Sequence, residues 1–466
     1  MQFQSAQFLF FFAFVFVVTA ILNRFQKSPW PRNLALILAS YVFYAAWKPA
    51  YLLLILFVTL FNFLTGKAIL SDNARQRQAV LAFAITVNLG LLFYFKYFAF
   101  AVHSVLTALG WIGFAHDDIV LNIVLPIAIS FITFEAISYN VDVYRGNFAP
   151  ENNLLSFALY FGFFPRLVSG PIVRPYQILP QLKRVHNRMH LRSGIFLILQ
   201  GLFKKVCVSD LISYFPNAVF KNPDAYSAQD ILLATMAFTV QIYCDFSGYT
   251  DIAIGVGRML GIQLPQNFKL PYTALNIREF WQKWHITLST WLRDYLYIGL
   301  GGNRTGHVYR NLFLTMLLGG LWHGASWNFV IWGALHGAVL VGYHWFSRWR
   351  PGFSLPAPVA WTLTHLVVVV AWVFFRAETA TTAFKMIAGV FQPGRYTGLF
   401  NSDAGMVLYT IIAFYAIHLG AALLKGFRRP AYKHGRYLLG AYQALLFISI
   451  LFAIKPDDTP FIYFQF

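Results

Sequence analysis

The chain has 466 residues, of which 58% are hydrophobic, 19% aromatic and only 11% charged, and its formal net charge is +19. Soluble domains carry roughly 25% charged residues, so this composition excludes a soluble globular protein. Lys and Arg collect in the cytoplasmic loops of membrane proteins, which accounts for the positive charge. The alternative is that part of this charge meets a phosphorylated donor. No basic helix or soluble module is evident that could bind nucleic acid, and no nucleic-acid partner is expected.

Apolar segments run along the whole sequence. Most reach the roughly 17–25 residues that a helix needs to cross the hydrocarbon core of a bilayer. They lie near residues 4–23, 33–48, 50–66, 79–100, 120–141, 194–214, 231–257, 358–375, 405–424 and 437–454, with two more within 312–346. The alternating ten-residue segments of a membrane β-barrel are absent from the sequence. The sequence predicts an all-α polytopic membrane protein with ten to thirteen spans.

The first apolar segment is predicted to be a retained helix, because it lacks a positive n-region and a small-residue cleavage site. Arg24, Lys27 and Arg32 follow it directly. Positively charged loops lie mostly on the cytoplasmic side. We therefore expect this end of the helix, and the basic loops 183–192 and 425–436, in the cytoplasm.

Three zones differ in composition within what is expected to be a single domain, residues 1–466. Residues 1–148 and 351–466 consist mostly of simple apolar spans, whereas 149–350 are rich in Gly, Pro, Trp, His and paired charges. Ionisable groups in hydrocarbon are costly and usually mark function. Irregular backbone at membrane depth is tolerated only where it lines protein or water. The catalytic zone is therefore predicted within 149–350.

Two arginines, Arg166 and Arg174, lie in the segment Phe163–Pro175, whose prolines preclude a regular helix. Arginines on such a turn suit phosphate or carboxylate recognition. The alternative is a re-entrant loop whose arginines reach the membrane interface. Further along, Asp245 and Asp251 are six residues apart, about 600° around a helix. They are not expected to form an acid–base pair, and each is expected to satisfy an arginine or to position a histidine.

The segment 278–295 is predicted to be one amphipathic helix at the membrane interface. Apolar and aromatic side chains repeat along it at helical spacing. They are Trp281, Trp284, Leu288, Trp291, Leu292 and Tyr295. His285 lies on the flank of this stripe, and its spacing alone predicts an interfacial histidine with satisfied contacts.

His323 lies between Trp322 and Gly324, where the helix is expected to open. A histidine in a dry site can stay neutral and act as a general base; the alternative is a buried structural histidine. His336 is thirteen residues further on, about 20 Å along a continuous helix, and is not expected to share the same reacting centre. No metal site and no permanently bound cofactor is expected.

Five segments of the chain resemble the membrane-bound O-acyltransferase (MBOAT) family, and they follow one another in the family's order. They are Phe163–Pro175, Asp245–Tyr249, Phe280–Ser289, Trp291–Ile298 with Gly301–Arg304, and Leu318–Gly324. The last two resemble the alginate O-acetyltransferase subgroup more than the D-alanyl-lipoteichoic acid branch. The resemblance implies a ring of roughly 11–13 helices around a central funnel, with re-entrant and amphipathic segments, in a bacterial inner membrane.

The resemblance also implies the site residues. The family's nearly invariant histidine matches His323, and its upstream catalytic histidine or asparagine matches His285; the funnel would bring the two together. His336, Arg293 and Asp294 are expected to support them. The residues expected to contact substrates are Arg166, Arg174, Arg304, Asp245, Trp322 and Asn328.

The reaction expected from the resemblance is acetyl transfer from acetyl-CoA toward an exported polysaccharide such as alginate or cellulose. His323 would take the proton of the incoming hydroxyl, His285 would polarise the thioester carbonyl, and Arg166, Arg174 or Arg304 would meet the CoA phosphates. The expected partners are acetyl-CoA, membrane lipid, a periplasmic acetyltransferase and the polysaccharide synthase and export machinery. The alternatives are a lipid, protein or peptidoglycan O-acyltransferase of the same family, a transporter, or a structural subunit of an export complex.

Overall fold

The computed structural model describes residues 1–114, 121–167, 170–304, 306–398, 404–424, 435–453 and 462. Within these ranges every regular element is a helix, which confirms the all-α prediction. Residues 425–434 of the predicted cytoplasmic loop lie outside them.

Seven helical segments of the described chain are long and apolar enough to cross a membrane. They are Ala6–Phe25, Pro49–Ala68, Ala74–Trp111, Ala228–Met259, Trp327–Trp349, Ala357–Arg376 and Ala404–Leu423. The protein is therefore a multi-pass membrane protein. The expected total of ten to thirteen spans includes shorter helices and stays a prediction.

The chain divides into two compact units, Met1–Ile195 with Ala253–Pro265, and Phe196–Ile252 with Gln266–Phe466. The expectation of one domain stays a prediction. The helices that begin in the first unit are α1 (Ala6–Phe25), α2 (Trp30–Ala45), α3 (Leu52–Ala68), α4 (Ala74–Leu92), α5 (Phe98–Trp111), α6 (Ile129–Tyr144), α7 (Leu154–Gly162), α8 (Phe164–Leu167), α9 (Pro175–Leu182) and α10 (Leu191–Leu202).

Buried amides join three helices of the first unit. Asn62 of α3 accepts hydrogen bonds from Asn88 of α4 at 2.9 Å and from Asn140 of α6 at 2.7 Å. Polar side chains of this kind hold helices together in lipid, where apolar surface gives no preference for protein over acyl chains. The first unit thus has a polar core between α3, α4 and α6.

The remaining helices are α11 (Tyr214–Lys221), α12 (Ala228–Met259), α13 (Ile277–Lys283), α14 (Ile286–Trp291), α15 (Val308–His323), α16 (Trp327–Trp349), α17 (Ala357–Arg376), α18 (Ala380–Val390), α19 (Ala404–Leu424) and α20 (Gly435–Ala453). Among the described residues, three π-helical turns interrupt or extend these helices, at Phe93–Tyr97, Phe203–Asp210 and Leu292–Tyr297. Single π turns occur often at functional sites.

In the second unit, α15 and α16 pack closely against each other and form a hairpin. A Cβ atom on Gly320 of α15 would lie 2.3 Å from the carbonyl oxygen of Phe329, and one on Gly333 of α16 would lie 2.6 Å from that of Met316. Only glycine lets the two backbones approach this closely. The hairpin fixes the end of α15, where His323 lies.

We expect Gly320→Ala to destabilise the protein by roughly 1–3 kcal/mol, because the added methyl meets backbone that cannot rotate away. Thermal unfolding of the purified variant in detergent measures this effect. Gly342→Ala is the matched control, since a Cβ there has no neighbour within 4 Å. Equal unfolding temperatures for the two variants would show that the hairpin tolerates separation.

Candidate active site

The prediction of one continuous helix over 278–295 is wrong at the centre of that segment. α13 ends at Lys283 and α14 begins at Ile286, and His285 between them has a left-handed backbone with φ 41° and ψ 54°. The carbonyl of Asn267 accepts the Ile286 N–H at 2.9 Å, and Lys269 N–H donates to the Lys283 carbonyl at 2.9 Å. These bonds replace bonds of a continuous helix. A left-handed non-glycine residue costs roughly 1–2 kcal/mol, and such strain clusters at functional sites.

The His285 side chain is fully buried in the second unit. Its Nδ1 lies 3.1 Å from Oδ1 of Asn267, and its ring meets the ring of Phe246 edge-on, with centroids 4.7 Å apart. His285 lies outside the seven candidate spans, and burial lowers the pKa of its imidazole. The ring is therefore neutral at physiological pH.

His323 is the last residue of α15 and lies in an aromatic cage. Ring centroids of Trp322, Trp332 and Phe375 lie 5.1, 5.0 and 5.4 Å from its own. The helix ends here because Gly324 leaves the helical conformation, and a Cβ on Gly324 would lie 2.1 Å from the Phe329 ring. The expected opening of the helix at this point is present.

Trp322 connects the two histidines. Its ring centroid lies 6.2 Å from that of His285 and 5.1 Å from that of His323. His285 reaches this position from the turn before α14, and His323 reaches it from the end of α15. Both imidazoles therefore lie beside one indole ring in the second unit.

His336 lies closer to this pair than the continuous-helix argument predicted. The chain turns back between α15 and α16, so the premise of one straight helix is wrong. The Trp332 ring contacts both His323, at 5.0 Å, and His336, at 4.6 Å. His336 also meets the Trp281 ring at 5.1 Å. It thus lies one aromatic ring away from His323.

Asp245 has lysine and backbone partners rather than the arginine or histidine that was expected. Lys205 lies 2.8 Å from its Oδ1, and the Ile462 N–H donates to its Oδ2 at 2.8 Å. Asp251 pairs separately with Lys204 at 2.6 Å. The two aspartates therefore pair with different lysines, which agrees with the expectation that they form no acid–base pair. Asp245 also holds the backbone at Ile462.

The three arginines expected at the donor phosphates have different surroundings. Arg166 is buried and donates to the carboxylate of Glu135 and to the carbonyl of Tyr160. This pairing favours a structural role over phosphate binding or a position at the interface. Arg174 is a buried residue at the start of α9, in the first unit, whereas Arg304 is exposed in the turn before α15.

The remaining predicted residues have partners within the second unit. Asn328 donates from Nδ2 to the Ala377 carbonyl at 2.6 Å and so joins the start of α16 to the end of α17. Arg293 and Asp294 pair with each other at 2.7 Å in the π turn after α14. These contacts fit a supporting role for Asn328 and Asp294, whereas Arg293 also lines a cavity.

A cavity of about 480 Å³ in the second unit was not predicted from the sequence. Its wall includes Arg278, Arg293 and His344 beside Trp281, the residue whose ring contacts His336. A cavity with cationic side chains and an aromatic wall suits a ligand that carries both phosphate and apolar groups. Arg278 shows no sequence signal of its own, because many helices of membrane proteins carry a basic residue near one end.

Comparison with known proteins gives matches over most of the chain. The family model described as "MBOAT, membrane-bound O-acyltransferase family" matches residues 149–378. The chain is 42% identical over 440 residues to a probable alginate O-acetylase AlgI of Pseudomonas aeruginosa, covering 90% of this chain and 82% of the relative. It is 38% identical over 419 residues to a peptidoglycan O-acetyltransferase of Helicobacter pylori, covering 82% and 78%.

A more distant relative is a teichoic acid D-alanyltransferase of Bacillus subtilis, 27% identical over 266 residues that cover 54% of this chain and 67% of the relative. The family model spans both histidines and the hairpin that fixes His323. The identities near 40% extend over more than four fifths of the chain. The chain belongs to the membrane-bound O-acyltransferase family, in its alginate O-acetyltransferase-like subgroup, and is an O-acyltransferase.

Proposed function

We propose that this protein transfers acetyl groups from acetyl-CoA toward a hydroxyl of an exported polysaccharide, in the bacterial inner membrane. The observation that carries the proposal is the pair of buried imidazoles, His285 and His323, on the ring of Trp322. The relatives named as alginate O-acetylases and as a peptidoglycan O-acetyltransferase support acetyl as the acyl group and a cell-surface glycan as the acceptor.

The transfer needs one proton acceptor and one group that stabilises negative charge. The hydroxyl oxygen attacks the thioester carbonyl carbon, the hydroxyl proton passes to an imidazole, and the C–S bond breaks with CoA leaving as a thiolate. Charge on the carbonyl oxygen is stabilised by a hydrogen-bond donor. Two histidines on one indole can fill these two roles, and thioesters need no further activation.

The cavity beside Trp281 is the proposed donor site, with Arg278 and Arg293 on the CoA phosphates. Two charge-assisted hydrogen bonds contribute about 1.5–3 kcal/mol each. We expect the double variant Arg278→Ala/Arg293→Ala to raise the KM for acetyl-CoA about tenfold or more with little change in kcat. Steady-state kinetics with purified protein measures this.

The matched control for these arginines is Arg350→Ala, since Arg350 lines a separate, mostly apolar cavity of the same unit. Its KM for acetyl-CoA should equal that of the wild type. A double variant with an unchanged KM would remove Arg278 and Arg293 from the donor site.

The acceptor side requires proteins and glycans outside the membrane. We propose that the acetyl group reaches the polysaccharide through a periplasmic acetyltransferase that works with the synthase and export machinery. The seven helical segments of the described chain that are long and apolar enough to cross a membrane are the proposed contacts with membrane lipid.

The test uses purified wild-type protein in lipid nanodiscs with labelled acetyl-CoA. Acetyl transfer is measured to alginate, cellulose and peptidoglycan fragments, with and without a periplasmic extract of the same organism. Palmitoyl-CoA serves as the second donor. Acetyl transfer to a glycan supports the proposal, whereas palmitoyl transfer without acetyl transfer would make the protein a lipid or protein O-acyltransferase.

A further inference from the structure

The Oδ1 atom of Asn267 takes part in three hydrogen bonds, one with the His285 ring and two with Thr287. Its Oδ1 lies 3.1 Å from Nδ1 of His285, 3.2 Å from the Thr287 backbone N and 2.9 Å from the Thr287 hydroxyl. Asn267 is itself fully buried, and its carbonyl also accepts the Ile286 N–H. One residue therefore fixes both the backbone turn at His285 and the direction of the imidazole.

The tautomer of His285 follows from these contacts. A backbone N–H can only donate, so the Asn267 atom that meets Thr287 N is the oxygen and not the amide nitrogen. An amide oxygen can only accept, so Nδ1 of a neutral His285 carries the proton. Nε2 then carries the lone pair. Among the described residues, Nε2 is buried and has no hydrogen-bond partner.

We infer that Asn267 is a positioning residue that holds His285 as the Nδ1–H tautomer, so that Nε2 of His285 accepts the proton of the attacking hydroxyl. This inference rests on the proposed acyl transfer for its chemistry, and it exchanges the two roles expected from the family resemblance. A neutral Nε2 without a proton cannot donate to the thioester carbonyl. His323 is left to stabilise the charge that develops on the carbonyl oxygen.

The first test reads the tautomer without any turnover. Purified wild-type protein labelled with ¹⁵N in its histidine rings is compared with His285→Gln to assign the two His285 signals. Protonated and unprotonated ring nitrogens differ widely in ¹⁵N chemical shift. A protonated Nδ1 with an unprotonated Nε2 supports the inference. A protonated Nε2 overturns it, whatever the donor or acceptor of the enzyme is.

The second test uses two variants of nearly equal size. Asn267→Leu removes the acceptor, and we expect kcat to fall roughly 10²-fold with the KM for acetyl-CoA unchanged. Asn267→Asp keeps an oxygen for all three donors and should restore most of kcat. A kcat for the leucine variant near the wild-type value, or an aspartate variant as slow as the leucine variant, contradicts the inference.

Asn311→Leu controls for the loss of a buried amide. Asn311 is fully buried in the same unit and donates to the Gly302 carbonyl at 3.0 Å. Its variant should keep the wild-type kcat. Absence of turnover in the wild type would refute the proposed donor, and the ¹⁵N spectrum would still decide the role of Asn267.

Discussion

Replacing His323 with alanine should lower acetyl transfer roughly 10²–10³-fold, the usual loss when a group that stabilises the reacting oxygen is removed. The imidazole contacts Trp322, Trp332 and Phe375, and no other histidine lies at the end of α15. The measurement is release of labelled acetyl from acetyl-CoA by wild-type and variant protein. The amount of protein in the membrane should not change.

His365→Phe is the control for this variant. His365 is also a buried histidine of the second unit, but its Nε2 shares a hydrogen bond of 2.7 Å with the Tyr415 hydroxyl, and its ring stacks on Trp361. Its loss removes an imidazole without changing the pair on Trp322. Turnover of the His323 variant equal to that of the control would overturn the catalytic assignment of His323.

The features that depend on local sequence could be predicted. The spans follow from runs of apolar residues, and the structure has helices at most of the expected places. The break at His323 follows from the adjacent Gly324, whose missing side chain leaves room for the Phe329 ring. Runs of apolar residues and single glycines determine the structure within a few residues of themselves, so a single sequence is sufficient to predict their effects.

The features that depend on distant partners could not be predicted. The turn at His285 is held by Asn267, eighteen residues earlier, in a stretch without a periodic pattern. Local propensity favours the continuous amphipathic helix, and these non-local bonds override it. Asp245 likewise has its lysine partner forty residues away, at Lys205. The segment Phe163–Pro175 gave no indication that its Arg166 would pair with Glu135.

Replacing His285 with alanine should separate the two steps of the reaction. If Nε2 removes the hydroxyl proton, transfer to a hydroxyl acceptor falls roughly 10²–10⁴-fold, the range for loss of a general base. Hydroxylamine attacks a thioester through a neutral nitrogen lone pair and loses its proton after the C–N bond has formed. We therefore expect His285→Ala to keep most of the enzyme-dependent formation of acetohydroxamate and CoA.

Comparison with His323→Ala separates the role of a base from that of a group that stabilises the carbonyl oxygen. A residue that stabilises the carbonyl oxygen is needed for both nucleophiles, so the His323 variant should lose transfer to hydroxylamine as well as to the hydroxyl. Each rate is measured above the uncatalysed reaction of hydroxylamine with acetyl-CoA. If both variants lose both reactions equally, His285 acts on the carbonyl, as expected from the family resemblance. If His285→Ala keeps the reaction with hydroxylamine and His323→Ala loses it, His285 is the group that removes the hydroxyl proton. The two acceptors differ only in their need for a base.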